Sequence, residues 1–97
     1  MAYDKPIKFR ILELFLDGKN YWNYEIVSRI LMDYSLKGDY WRDSINFDLI
    51  ELSSGGLLKI DDSRLDEEGI YKKNFVLYKY SITDFGRTRA SESCLYV

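Results

Sequence analysis

The chain has 97 residues, with 14 Lys and Arg against 16 Asp and Glu, no His, one Cys and one Pro, a length that fits one domain over residues 1–97. Without His the commonest general base and metal ligand is missing, and Cys94 alone forms neither an internal disulfide nor a thiolate metal site, so it reads as an inert thiol. A composition 46% hydrophobic and 16% aromatic belongs to a folded chain. No apolar run approaches the roughly 20 residues that span a membrane, and the first residues lack a signal peptide's apolar core. The expectation is a cytoplasmic, non-enzymatic protein.

The first predicted element is a helix from Pro6 to Leu16. Proline suits a first turn, where its missing N–H is no loss, and Asp4 stands upstream as a cap. Ile7, Ile11, Leu14 and Phe15 recur at helical spacing, Phe9, Leu12 and Leu16 widen the apolar face, and Asp17-Gly18 ends it. A second helix runs from Tyr24 to Tyr34 with Asn23 as its cap. Ile26, Ile30 and Tyr34 form one of its rows, and Val27 and Leu31 form the next. The Lys37-Gly38-Asp39 turn leads to a third helix, from about Asp39 to Ser54. It carries Trp41, Ile45, Leu49 and Leu52 on one face. Tyr40, Asp43, Ser44, Phe47, Asp48 and Glu51 lie largely opposite, and Ser53-Ser54-Gly55-Gly56 stops it.

The period then changes from 3.6 to 2. A short strand spans Leu57 to Ile60. A longer one spans Asn74 to Ile82, with Val76, Tyr78, Tyr80 and Ile82 on one face and Phe75, Leu77, Lys79 and Ser81 on the other. The segment between them, Asp61 to Gly69, is too long and polar for a tight turn. Thr83 offers its hydroxyl to a short last helix from about Asp84. The predicted architecture is α+β: a winged helix-turn-helix with a three-helix core, a two-stranded β-hairpin wing and a short C-terminal helix.

Three local patterns sharpen this reading: Asn23-Tyr24-Glu25-Ile26 opening the second helix, Leu49-x-x-Leu52-x-x-x-Gly56-Leu57 closing the third, and Tyr80-x-Ile82-Thr83-x-x-Gly86 after the wing. On these, from about Ile7 to Arg89, the chain resembles the PadR-like branch of winged-helix transcription regulators and, more distantly, the MarR-like branch. Two departures stand out. That family's long dimer-forming C-terminal helix is cut to one or two turns after Gly86. The tyrosine often found in the middle of its third helix is Asn46 here, with Phe47 beside it.

The resemblance implies a small regulator of duplex DNA that needs no cofactor. The third helix would enter the major groove and the wing would touch phosphates. Lys37, Tyr40, Arg42, Ser44, Asn46, Lys72 and Lys73 are the candidate contacts. Such regulators commonly act as homodimers, here through the first and last helices with Tyr3, Lys5 and Leu95 near their ends. Charge pulls the other way. Gly38 to Glu51 carries Asp39, Asp43, Asp48 and Glu51 against Arg42 alone, and Asp61 to Glu68 carries five carboxylates against Arg64 alone, whereas phosphate contact needs cations. The alternative is a winged-helix protein-interaction module, its acidic wing meeting a basic partner. Tyr21-Trp22-Asn23-Tyr24 is either a partner patch or the pin of the second helix to the core. Phe47 packs on the wing, meets a thymine methyl, or meets a partner. The Asp61-Asp62 and Asp66-Glu67-Glu68 carboxylates match no Ca²⁺ loop, and neither a phosphate loop nor a nucleophile–base pair is present.

Overall fold

A computed structural model describes residues 5–94. In chain order it has α1 (Ile7–Leu14), a 3₁₀ turn (Phe15–Asp17), β1 (Tyr21–Trp22), α2 (Asn23–Asp33), α3 (Asp39–Ser54), β2 (Leu58–Leu65), β3 (Val76–Ile82) and α4 (Asp84–Cys94). This α+β order is compatible with a winged helix. The helices enclose one apolar cluster. Ile11, Leu12 and Phe15 come from the first helical stretch, Ile26, Val27 and Ile30 from α2, and Ile45, Leu49 and Leu52 from α3. Leu58, Tyr80 and Ile82 come from the sheet and Ala90 from α4. Truncating any one of the fully buried aliphatic side chains to alanine costs about 2–5 kcal/mol.

The expected two-stranded wing is part of a three-stranded antiparallel sheet in the order β1-β3-β2. Tyr21 pairs with Tyr80 and Trp22 with Lys79, and two residues are too few to show a period of 2 in the sequence. β2 is longer than the apolar run that announced it and continues through Asp61 to Leu65, with a register shift between Ile60 and Asp62. Every residue of β2 after Leu58 is exposed, so its second half has no burial pattern to read. In β3, Tyr80 and Ile82 are buried as their spacing implies, but Leu77 on the opposite face is buried too and Val76 is exposed.

Local chemistry sets the joints. The first helix tightens into its 3₁₀ turn and closes on Gly18 at φ 81°, a left-handed conformation natural to glycine. Asn23 lies within α2 rather than capping it. The Trp22 N–H donates to the Glu25 carboxylate (2.9 Å), and the Asn23 amide turns inward to donate to Asn46 Oδ1 (3.0 Å). The Thr83 cap is formed as expected, Oγ1 accepting the Gly86 N–H (2.9 Å) and donating to the Gly56 carbonyl (2.6 Å). α4 crosses the start of the hairpin so closely that a Cβ on Gly86 would lie 2.1 Å from the Leu57 carbonyl oxygen. α1 and α4 pack on each other within the chain. Of the residues expected at a dimer surface there, Lys5 pairs with Glu13, while Tyr3 and Leu95, like the cap Asp4, lie outside the described residues. Among the described residues no helix is long and apolar enough to cross a membrane.

Candidate functional site

The ten residues from Asp66 to Phe75 that join β2 to β3 form a closed loop. Asp66 N–H donates to the Phe75 carbonyl and Asn74 N–H to the Asp66 carbonyl, both at 2.8 Å. Gly69 and Asn74 take positive φ (77° and 69°) to make the bends. At the loop's centre the Asp66 side chain, 2% exposed, accepts the N–H groups of Ile70 (2.8 Å), Tyr71 (2.8 Å) and Lys72 (2.7 Å). Burial by itself would raise this carboxyl. The N–H donors of Tyr71, Ile70, Lys72 and Gly69 outweigh it and hold the group below the ordinary carboxylate range.

This loop docks on the start of α3. The Arg42 guanidinium donates to the Tyr71 carbonyl (3.3 Å) and lies 4.9 Å from the centre of the Tyr71 ring, while the Tyr71 hydroxyl donates to the Arg42 carbonyl (3.1 Å). Burial and then Asp43 push the Tyr71 hydroxyl up, against the pull of Arg42. Lys72 pairs with Asp43 (3.6 Å) and sits 4.9 Å from the Phe75 ring centre. Two of the candidate DNA contacts are thus brought together, but bound to the protein itself. Of the other candidates, Asn46 accepts the Asn23 amide, Ser44 is half-buried, and Lys37, Tyr40 and Lys73 are exposed. Tyr40 leans edge-on against Trp41. Tyr71 does not stand out in the sequence, because its contacts with Arg42 join positions 29 residues apart.

The basic residues at the start of the chain are engaged as well. Lys8 pairs with Glu51 (3.0 Å), and Arg10 with Asp33 (2.9 Å) and Glu13 (3.5 Å). On the outer side of the sheet, Trp22 stacks with Tyr24 at an interplanar angle of 11°. It also carries Arg64 at 5.0 Å and Lys79 at 5.7 Å from its ring. Tyr21 packs edge-on against the buried Phe15. Asn23 is buried, and Tyr21, Trp22 and Tyr24 are half-buried, so this cluster serves mainly to fasten α2 and β1 to the rest.

The face left without partners is apolar. Cross-strand pairing and alternation put Leu58, Ile60, Ser63 and Leu65 of β2 on the same side as Ile82, Tyr80, Tyr78 and Val76 of β3. The inner members of this row, Leu58, Tyr80 and Ile82, belong to the core. The outer members are less covered: Ile60 and Val76 are each 48% exposed and Leu65 50%. On α3, Phe47 and Ile50 lie three residues apart on the side away from Ile45, Leu49 and Leu52. Phe47 is 58% exposed, so it is not packed away beneath the wing. A groove of ≈ 160 Å³ lined by Ile50, Ser53, Ser54, Ile60, Tyr78 and Tyr80 joins helix to sheet. The sequence signalled only Phe47 of this surface. Ile60 and Val76 sit in apolar alternation and read as core.

No family model, no curated protein and no solved structure matches the chain.

Proposed function

We propose that this domain is a winged helix that works as a protein-interaction module, docking its partner on α3 and the adjoining side of the hairpin. The observation that carries this reading is the set of exposed apolar side chains on these two elements, Phe47 and Ile50 of α3 and Ile60, Leu65 and Val76 of the hairpin, with Ile50 and Ile60 lining one groove. Large apolar side chains gathered on one exposed face mark an interaction site. A winged helix that reads duplex DNA needs cations on this same surface. Here Arg42 is bonded to Tyr71 and Lys72 to Asp43, and α3 carries Asp39, Asp43, Asp48 and Glu51. Asp48 is partly buried, which pushes its carboxyl up against the opposing effect of Lys8.

Fluorescence anisotropy with mixed-sequence duplex DNA, at about 20 and about 200 mM salt, tests this directly. The expected result is no binding at the lower salt. Binding that fades steeply with salt would overturn the reading in favour of a DNA-binding regulator, for which the exposed Lys37, Tyr40 and Lys73 are the contacts still available. A positive arm uses anilinonaphthalene sulfonate. Its emission rises on the folded protein and falls back in the double variant Ile50→Glu, Ile60→Glu.

A further inference from the structure

We infer that the groove between α3 and the hairpin takes an amphipathic helix of a partner protein, with lysine or arginine bordering its apolar side. This rests on the docking reading above and identifies the occupant.

The shape of the surface favours a helix. From Ile60 to Leu65 the hairpin offers an apolar row of about 17 Å at ~3.3 Å per residue, the length of roughly eleven helical residues. Beside it, Phe47 and Ile50 supply a second row along α3, and the groove lined by Ile50, Ser54, Ile60 and Tyr78 runs between the two. A groove with apolar side chains on both walls accepts a helix with anchors at i, i+3, i+4 and i+7. An added strand fits poorly. β1 has two residues, and the free edge of β2 is broken by the register shift between Ile60 and Asp62 and guarded by Asp61 and Asp62.

The charge on the exposed side of α3 sets the chemistry of the borders. Asp43 lies one turn before Phe47 and Glu51 one turn after it. Their present partners are exchangeable, because the Lys72–Asp43 and Lys8–Glu51 pairs are solvent-exposed and such pairs contribute little. A partner's lysine or arginine can therefore take either carboxylate at small cost. A second copy of this chain fits less well, since a two-fold contact through this face sets Asp43 and Glu51 of one α3 against those of the other.

The test uses the full chain and two fluorescein-labelled 14-residue peptides with the same leucine face, one bordered by lysine and the other by glutamate. The lysine peptide is expected to bind at least tenfold more tightly than the glutamate peptide, a gap that closes with salt. Asp43→Asn with Glu51→Gln should bring the two peptides to within about twofold. Phe47→Ser with Ile60→Ser should weaken the lysine peptide about tenfold, with the melting curve unchanged. Equal binding of both peptides would overturn the basic occupant and leave the docking face standing. Binding of neither peptide, with the anilinonaphthalene sulfonate signal intact, would overturn the helical basic occupant alone, whereas loss of that signal too would overturn both readings. A dimer by sedimentation that dissociates in the Phe47, Ile60 variant would replace the partner helix with a second copy.

Discussion

The tip and the root of one hairpin make opposite use of their side chains. At the tip, the polar groups of Asp66 and Tyr71 have internal partners. The Asp66 carboxylate holds three backbone N–H groups, and Tyr71 and Arg42 exchange hydrogen bonds through their carbonyls. At the root, Ile60 is half exposed, and Tyr80 keeps a buried hydroxyl with no hydrogen-bond partner among the described residues. The acidic loop matches no Ca²⁺ site in sequence, and its central carboxylate, Asp66, serves the loop itself. Alternating apolar residues such as Ile60 and Val76 look like core, yet each is about half exposed.

The largest effect that separates the two regions is expected at Gly86, which braces the root. Gly86→Ala would press a methyl into the Leu57 carbonyl and Ile82. It should cost about 3 kcal/mol, as overpacking against backbone does, and a thermal melt reads it. A variant of wild-type stability would mean that α4 can move off the hairpin.

Asp66→Ala should open the tip and leave the root intact. The amide resonances of Ile70, Tyr71 and Lys72 are expected to collapse toward random-coil positions while those of β3 stay. Acid should do the same to the wild type. The folded carboxyl lies below its ordinary value, so its contribution is complete above about pH 4 and is lost as pH falls through the folded value. An amide titration with a midpoint at or above the ordinary aspartate value would break this account of the tip.

Arg42→Ala should cost about 1 kcal/mol, from one hydrogen bond and one cation–π contact. It should leave any residual DNA affinity unchanged, because this guanidinium faces Tyr71. A steep fall in DNA binding would instead identify Arg42 as a reader. Tyr80→Phe is the smallest and has the opposite sign. Removing a buried, unpartnered hydroxyl is expected to stabilise by up to about 1 kcal/mol. It should also flatten the alkaline side of the stability profile. Burial pushes the Tyr80 hydroxyl up to about 12, so its contribution is full below about pH 10 and is lost as pH rises toward 12.

Several elements were legible from residue order alone. The limits of α3, its buried row of Ile45, Leu49 and Leu52, and the Thr83 cap on α4 all follow from spacing within a few residues. Contacts between distant segments were not legible. β1 is two residues whose pairing is supplied entirely by β3, and the second half of β2 has no apolar period because both its faces see solvent. Asn23 reads as a cap until Asn46 is brought beside it. Arg42 reads as a free cation until Tyr71, 29 residues further along, is placed over it.

The sequence by itself determined the local part of this protein: which stretches are helical, where glycines end them, and that α3 and the Asp61–Glu68 segment carry an acidic balance. Those properties depend on the period of apolar residues and on summed charge, both of which survive without a fold. Only the tertiary structure decided which carboxylates and cations satisfy each other and which apolar side chains remain uncovered. Burial and pairing depend on the neighbour that arrives from elsewhere in the chain, and no periodicity records which neighbour that is.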